Sequence, residues 1–101
     1  MPDYVFDAEL WEWPARAAWI FVSVPESMSD EIDARTHGLT PGFGSVRVTV
    51  TVGASTWSTS LFPDTTRGCY VLPIKKAVRV AEGIAPGDTV RIHLDLADAR
   101  P

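Results

Sequence analysis

A chain of 101 residues with a net charge of -4 and one cysteine is the size of a single domain, 1–101, and has no internal disulfide. At that length roughly two-thirds of the unfolded surface is buried on folding, enough for one core without staples. The acidic balance disfavours generic binding to nucleic acid or anionic membranes. No apolar run nears the roughly 18 residues of a membrane helix and no h-region opens the chain, so a reducing, cytoplasmic setting is expected.

From the N-terminus, Tyr4, Phe6, Ala8 and Leu10 alternate with Val5, Asp7 and Glu9, which predicts a first strand over 4–10. Trp11-Glu12-Trp13-Pro14 ends it. Tryptophans two apart share a face of an extended chain. Closing one end of the core is their expected role; an exposed aromatic binding edge is the alternative. AWIFVSV, 18–24, is nearly apolar throughout and reads as a central strand stopped by Pro25. Residues 26–35 read as a helix, with Ser29 as N-cap and Asp30 and Glu31 where the macrodipole favours negative charge. THGLTPGFG, 36–44, is a connection.

In 45–52, Val46, Val48, Val50 and Val52 face one way and Arg47, Thr49 and Thr51 the other. Gly53-Ala54-Ser55 signals a hairpin, 56–62 returns as a strand, and PDTTRG, 63–68, is a polar loop whose Asp64 caps its own turn. A short strand over 69–72 ends at Pro73, which has no amide hydrogen to give a ladder. Ile74, Ala77, Val78 and Ala81 then recur at helical spacing, and Gly83 sits where a left-handed cap belongs. Ala85-Pro86-Gly87-Asp88 is a tight turn, with proline presetting one dihedral and glycine accepting a positive φ. Val90, Ile92, Leu94 and Leu96 close the chain as a half-buried strand.

The elements state one theme twice, over about 4–52 and 56–96: strand, strand, proline, helix, strand. Closure would remove the edges of six such strands. The expected fold is therefore mainly β with two short helices, a closed six-stranded double-split β-barrel in one chain, with an open α+β sheet as the alternative.

The run from strand through proline and helix to Gly83-Ile84 and Gly87-Asp88 resembles the swapped-hairpin unit of AbrB-like regulators and MazE-like antitoxins. WIFVSVP (19–25), GSVRVTVTV (44–52), WSTSLFP (57–63) and the stretch 68–96 together resemble the bacterial domain-of-unknown-function family 1905. That resemblance implies a double-split barrel and no established activity.

Signals for catalysis are poor. His37 and His93 are the only histidines, too few for a metal set of familiar spacing, and no metal or cofactor is expected. Cys69 has no base beside it in sequence and reads as an inert thiol. No nucleophile elbow, phosphate loop or HExxH motif occurs, so a non-enzyme is expected.

Signals for binding are better. Residues 1–45 carry a charge of -6 and residues 46–96 carry +2. The candidates in that second half are Arg47, Trp57, Arg67, Lys75, Lys76 and Arg79, with Ser58 and Ser60 beside them. Lys75 and Lys76 open a helix where the dipole disfavours cations, a conflict that points to an anion or an acidic partner; a merely solvated pair is the plainer reading. Trp57 shares parity with Thr59 and Leu61, which favours the core over binding. The expectation is a non-catalytic module binding a protein or a small anionic ligand, monomeric or else dimeric. A DNA-binding regulator of AbrB type is the alternative.

Overall fold

The computed structural model describes residues 1–36 and 44–97. These form β1 (Tyr4–Glu9), β2 (Trp11–Trp13), β3 (Arg16–Ser23), α1 (Glu26–Thr36), β4 (Val46–Val52), β5 (Ser55–Asp64), β6 (Cys69–Pro73), α2 (Lys76–Glu82) and β7 (Thr89–Leu96). Most of the 36–44 connection, with His37, lies outside the described residues.

All ladders are antiparallel, and the strand order is β1-β7-β4-β5-β6-β3-β2. The closed six-stranded double-split barrel expected from the sequence is not formed. Seven strands make an open half-barrel, and the two ends of the sheet, β1 and β2, share no ladder. The cause lies at Leu10. The sequence predicts one strand over 4–10 that Trp11-Glu12-Trp13-Pro14 ends, but the extended chain leaves β7 at Glu9 and joins β3 from Trp11 onward as a further strand. Leu10, fully buried between them, has its own backbone partners. Its amide donates to the Asp88 carbonyl at 2.9 Å, and its carbonyl accepts the Gly87 amide at 2.8 Å.

The ladders are otherwise reciprocal. Long β5 pairs with β4 along most of its length and with β6 at its end. The pair β1 and β2 does the same with β7 and β3. The β3–β6 ladder runs Phe21↔Pro73, Val22↔Leu72, Ser23↔Val71, and a shift of fifty residues maps it onto itself. That shift also carries Glu26, which opens α1, onto Lys76, which opens α2.

Strict alternation supplies the interior. Val46, Val48, Val50 and Val52 are buried on β4, as are Ile92, Leu94 and Leu96 on β7 and Val22 and Leu72 on the β3–β6 pair. Each such side chain contributes about 1.5–3 kcal/mol by leaving water. Ile32 of α1 and Val78 of α2 are the buried apolar residues by which the helices join this cluster.

The two helices are fixed differently. Helix α1 begins at Glu26, directly after Pro25, so Ser29 is not its N-cap as the sequence suggested. Ser29 is buried one turn in, where its hydroxyl donates to the Val24 carbonyl at 3.2 Å and accepts the Tyr70 amide at 3.1 Å. That serine therefore stitches α1 to β6. Helix α2 ends as expected at Gly83, whose φ of 65° lets its amide and that of Ile84 turn back to the Val80 and Arg79 carbonyls. Glu82 reaches from its last turn to the β4–β5 hairpin and accepts the Ser55 hydroxyl at 2.6 Å.

The 85–88 turn holds Leu10 from outside. Gly87 has φ 97°, which an L side chain rarely adopts, and the Asp88 carboxylate accepts the Ala85 amide at 2.9 Å. Gly87→Val is expected to destabilise by about 1–3 kcal/mol through backbone strain. Leu10→Ala is expected to cost about 2–5 kcal/mol through the cavity it leaves. Urea melts that leave either variant at the wild-type midpoint would contradict this account of the turn.

Candidate functional site: an aromatic groove with a basic wall

A second apolar layer lies outside the half-barrel. On β3 the residues Ile20, Val22 and Val24 are in the core, so Phe21 and Ser23 point the other way. Trp11, paired with Phe21 across the β2–β3 ladder, lies on that outer side too. The Trp11 and Phe21 rings stack with centroids 5.3 Å apart, and Trp13 tilts against both at 5.7 and 5.6 Å. The Trp11 indole N–H donates to the Ser23 hydroxyl at 3.1 Å. Val71 alternates with the core residues Tyr70 and Leu72, yet it is only 4% exposed on its outer side. Trp11 and Trp13 therefore do not plug an end of the core. They build a separate aromatic surface.

An irregularity opens this surface into a groove. The β2–β3 ladder runs Trp11↔Phe21 and Glu12↔Ile20, then jumps to Trp13↔Arg16. Three residues of β3, 17–19, are thereby extruded as a bulge, a device that re-aims side chains. Trp19, at its end, is 48% exposed, and Phe62 on β5 is 45% exposed. They line the same cavity of about 890 Å³, together with Trp13, Phe21, Pro63 and Pro73.

One wall of the groove is cationic. Lys75, Lys76 and Arg79 line it from the start of α2. The Arg79 side chain is anchored by its Nε, which donates to the Ile74 carbonyl at 3.0 Å. Among the described residues, the two ammonium groups and the outer nitrogens of Arg79 have no hydrogen bond or ion pair.

The single carboxylate of the lining, Asp64, is already engaged. It accepts the Arg67 amide at 3.1 Å and its guanidinium at 3.0 Å. The same guanidinium lies 3.9 Å from the Trp11 ring centroid and 5.5 Å from that of Trp13. Asp64 thus caps its own turn, as the PDTTRG loop suggested, and also clamps a cation onto the aromatic surface. Burial by itself would raise the Asp64 carboxyl, but hydrogen bonds from the Arg67 amide and guanidinium and from the Thr66 amide outweigh it and hold the group below its ordinary value.

The fifty-residue shift that relates α1 to α2 places a smaller niche, about 200 Å³, beside α1. Its surroundings are opposite in character. Asp30, Asp33 and Asp64 line it, and Ser29, at the counterpart of Arg79, is spent on the stitch to β6. Burial and the nearby Asp33 carboxylate push the Tyr70 phenol up there, so it stays a neutral donor to Asp33 at 3.4 Å. The matching β5–β6 rungs, Phe62↔Val71, Pro63↔Tyr70 and Asp64↔Cys69, run without a shift. The large groove is thus an addition made on one side only.

The six residues singled out from sequence separate accordingly. Lys75, Lys76 and Arg79 come together on the groove wall, and Arg67 lies next to it through Asp64. Trp57 lies in the core, as its parity with Leu61 favoured. It is 8% exposed inside the core, because it shares the inward row of β5 with Leu61. Arg47 stands apart: it donates to the Ser60 hydroxyl across β4 and β5 at 3.3 Å and does not line the groove. Sequence reasoning missed Trp19, Phe62 and Phe21. The two tryptophans before Pro14 were its only hint of an outer aromatic face.

With the geometry in place, a sequence comparison adds the family. The one described as a domain of unknown function (DUF1905) matches residues 6–94. The chain belongs to that family. The DUF1905 match spans every element that builds the groove, from β2 to α2. No curated protein matches the chain. The DUF1905 description assigns no activity. The chemistry must come from the residues.

The Asp64 clamp has a pH dependence of definite sign. Its folded pKa is depressed, so its contribution is complete above the unfolded value near 3.8 and is lost as pH falls below that value. Acidification below about pH 4 is expected to release Arg67 from Trp11 and change tryptophan emission before the cooperative acid unfolding. Asp64→Asn should remove that early phase, and its persistence in the variant would contradict the assignment.

Proposed function

We propose that this domain is a non-catalytic binding module whose groove takes the apolar part of a small anionic ligand. The observation that carries the reading is the wall of three unpaired cations beside partly exposed tryptophan and phenylalanine. An aromatic side chain half in water sacrifices burial, and an unpaired cation sacrifices an ion pair. A ligand with an apolar body and a negative head recovers both. The groove volume falls within the few hundred to about 1,000 Å³ of small-molecule sites. Support for a non-catalytic role is that the lining offers three cations and one carboxylate already committed to Arg67, with no base held beside a nucleophile. We place the domain in the cytoplasm, as a single cysteine with no internal partner suggests; among the described residues no helix is long and apolar enough to cross a membrane.

The AbrB-type regulator is the second reading, and fold-level analogy is its only support. Arg47 stands apart from Lys75, Lys76 and Arg79, so a basic stripe long enough to follow a duplex has little to build on in a chain of net charge -4.

Binding of the anionic dye 1-anilinonaphthalene-8-sulfonate tests the module. Wild-type protein is expected to enhance its emission saturably. Lys75→Glu with Lys76→Glu should weaken binding about tenfold while leaving the melting temperature within a few degrees, since both side chains are exposed. Arg47→Glu should bind as wild type does. Equal affinity in all three proteins would contradict the groove as the site.

A further inference from the structure

The groove also constrains what its ligand is, and we infer that it is an aromatic carboxylate. This rests on the binding-module reading above and narrows it. Three observations lead there.

The surfaces offered to the ligand are flat. Trp13, Trp19, Phe21 and Phe62 line the groove with Pro63 and Pro73. Rigid planar surfaces pack best against another plane, in offset or edge-to-face contact. A flexible acyl chain gains less from them and loses more rotamer freedom on binding.

The charge is cationic and unanswered. Lys75, Lys76 and Arg79 have no ion-pair partner among the described residues, and Asp64 is held by Arg67. A ligand cation would meet three like charges and one occupied carboxylate. A neutral ring would leave the wall as it is.

The geometry of Arg79 favours a small planar anion. Its Nε is fixed on the Ile74 carbonyl, so the side chain can present only its two outer nitrogens. That end of the guanidinium matches the two oxygens of a carboxylate side by side. The lysines contribute as point charges around it.

Titration of the full-length protein, followed by proton–nitrogen correlation spectra, tests the class with 2-naphthoate as the probe. The four indole N–H signals serve as internal reporters. Trp13 and Trp19 line the groove, while Trp57 is buried in the core. Saturable shifts of Trp13 and Trp19, with Trp57 unmoved, are expected for 2-naphthoate. Octanoate, 2-naphthalenemethanol and 2-naphthylmethylamine should each bind at least about tenfold more weakly. Arg79→Lys keeps the charge but loses the fork, and it should weaken 2-naphthoate more than it weakens 2-naphthalenemethanol. An unmoved Trp57 signal in the variant verifies that it is folded.

Octanoate binding as tightly as 2-naphthoate overturns the aromatic assignment. The neutral or cationic naphthalenes binding as tightly, or 1-naphthyl phosphate binding more tightly, overturns the carboxylate. In each of these outcomes the binding module stands. If no probe, the anilinonaphthalene dye included, moves Trp13 or Trp19, then the module reading falls with the proposal.

Discussion

The structure turns on two backbone hydrogen bonds at Leu10. A single extended stretch must serve two ladders at opposite ends of one sheet, and a strand cannot change partners without leaving some residue outside both. That residue is Leu10. Its amide and carbonyl would be costly to bury unpaired. The Gly87–Asp88 turn supplies both missing partners. The turn can do so because Gly87 adopts a φ of 97° and the Asp88 carboxylate holds the Ala85 amide. A contact between residues nearly a whole chain apart thus sets where β1 ends and β2 begins. It also explains why the sheet stays open: the ends are joined by covalent chain and a turn, with no ladder between them.

From this follows the contrast between the two helices. Each packs on the half-barrel after a strand of the β3–β6 pair. On the α1 side, the Ser29 hydroxyl bonds two backbone groups and the niche beside it is small and acidic. On the α2 side, the corresponding position is Arg79, whose long side chain bonds one carbonyl and extends into a large cavity. A serine closes and an arginine opens. The three-residue bulge in β3 adds the aromatic floor on that same side, where the other half runs in regular register.

Much of the chain order was legible in the residues. Alternation located β1, β4 and β7, and the switch to helical spacing after Pro73 located α2. Gly83 and Gly87 have the positive φ that their turns require. What alternation cannot tell is which strands end up neighbours, and the expected closed barrel failed on that point. Nor does it say which face of an aromatic strand is inside. Trp11 and Trp13 share a face, as their spacing requires, but that face is the outer one because Leu10 takes the interior position. Trp57, by contrast, shares its row with Leu61, a signal for the core that was legible and that its burial bears out. Bulges escape period counting altogether, which is why Trp19 was missed. Of the candidate site, the lysines and Arg79 stood out through local charge. The cation over Trp11 joins residues too distant in sequence for any local pattern to link them.

An acidic protein with the proposed anion-binding groove is not a contradiction. At physiological ionic strength, charges farther apart than roughly 8 Å are largely screened in water. A ligand in the groove therefore responds chiefly to Lys75, Lys76 and Arg79, the charges of the wall itself. The excess negative charge resides mainly on residues 1–45, on the surfaces of β1 and α1, and Asp64 is neutralised where it stands. A net charge of -4 thus opposes loose association with polyanions and leaves a local cationic wall effective at short range. Selectivity of that kind suits a compact ligand that fits inside the groove. An extended polyanion would have to pass over the acidic remainder of the surface. The distribution of charge, more than its sum, is what favours a small molecule as the groove's occupant.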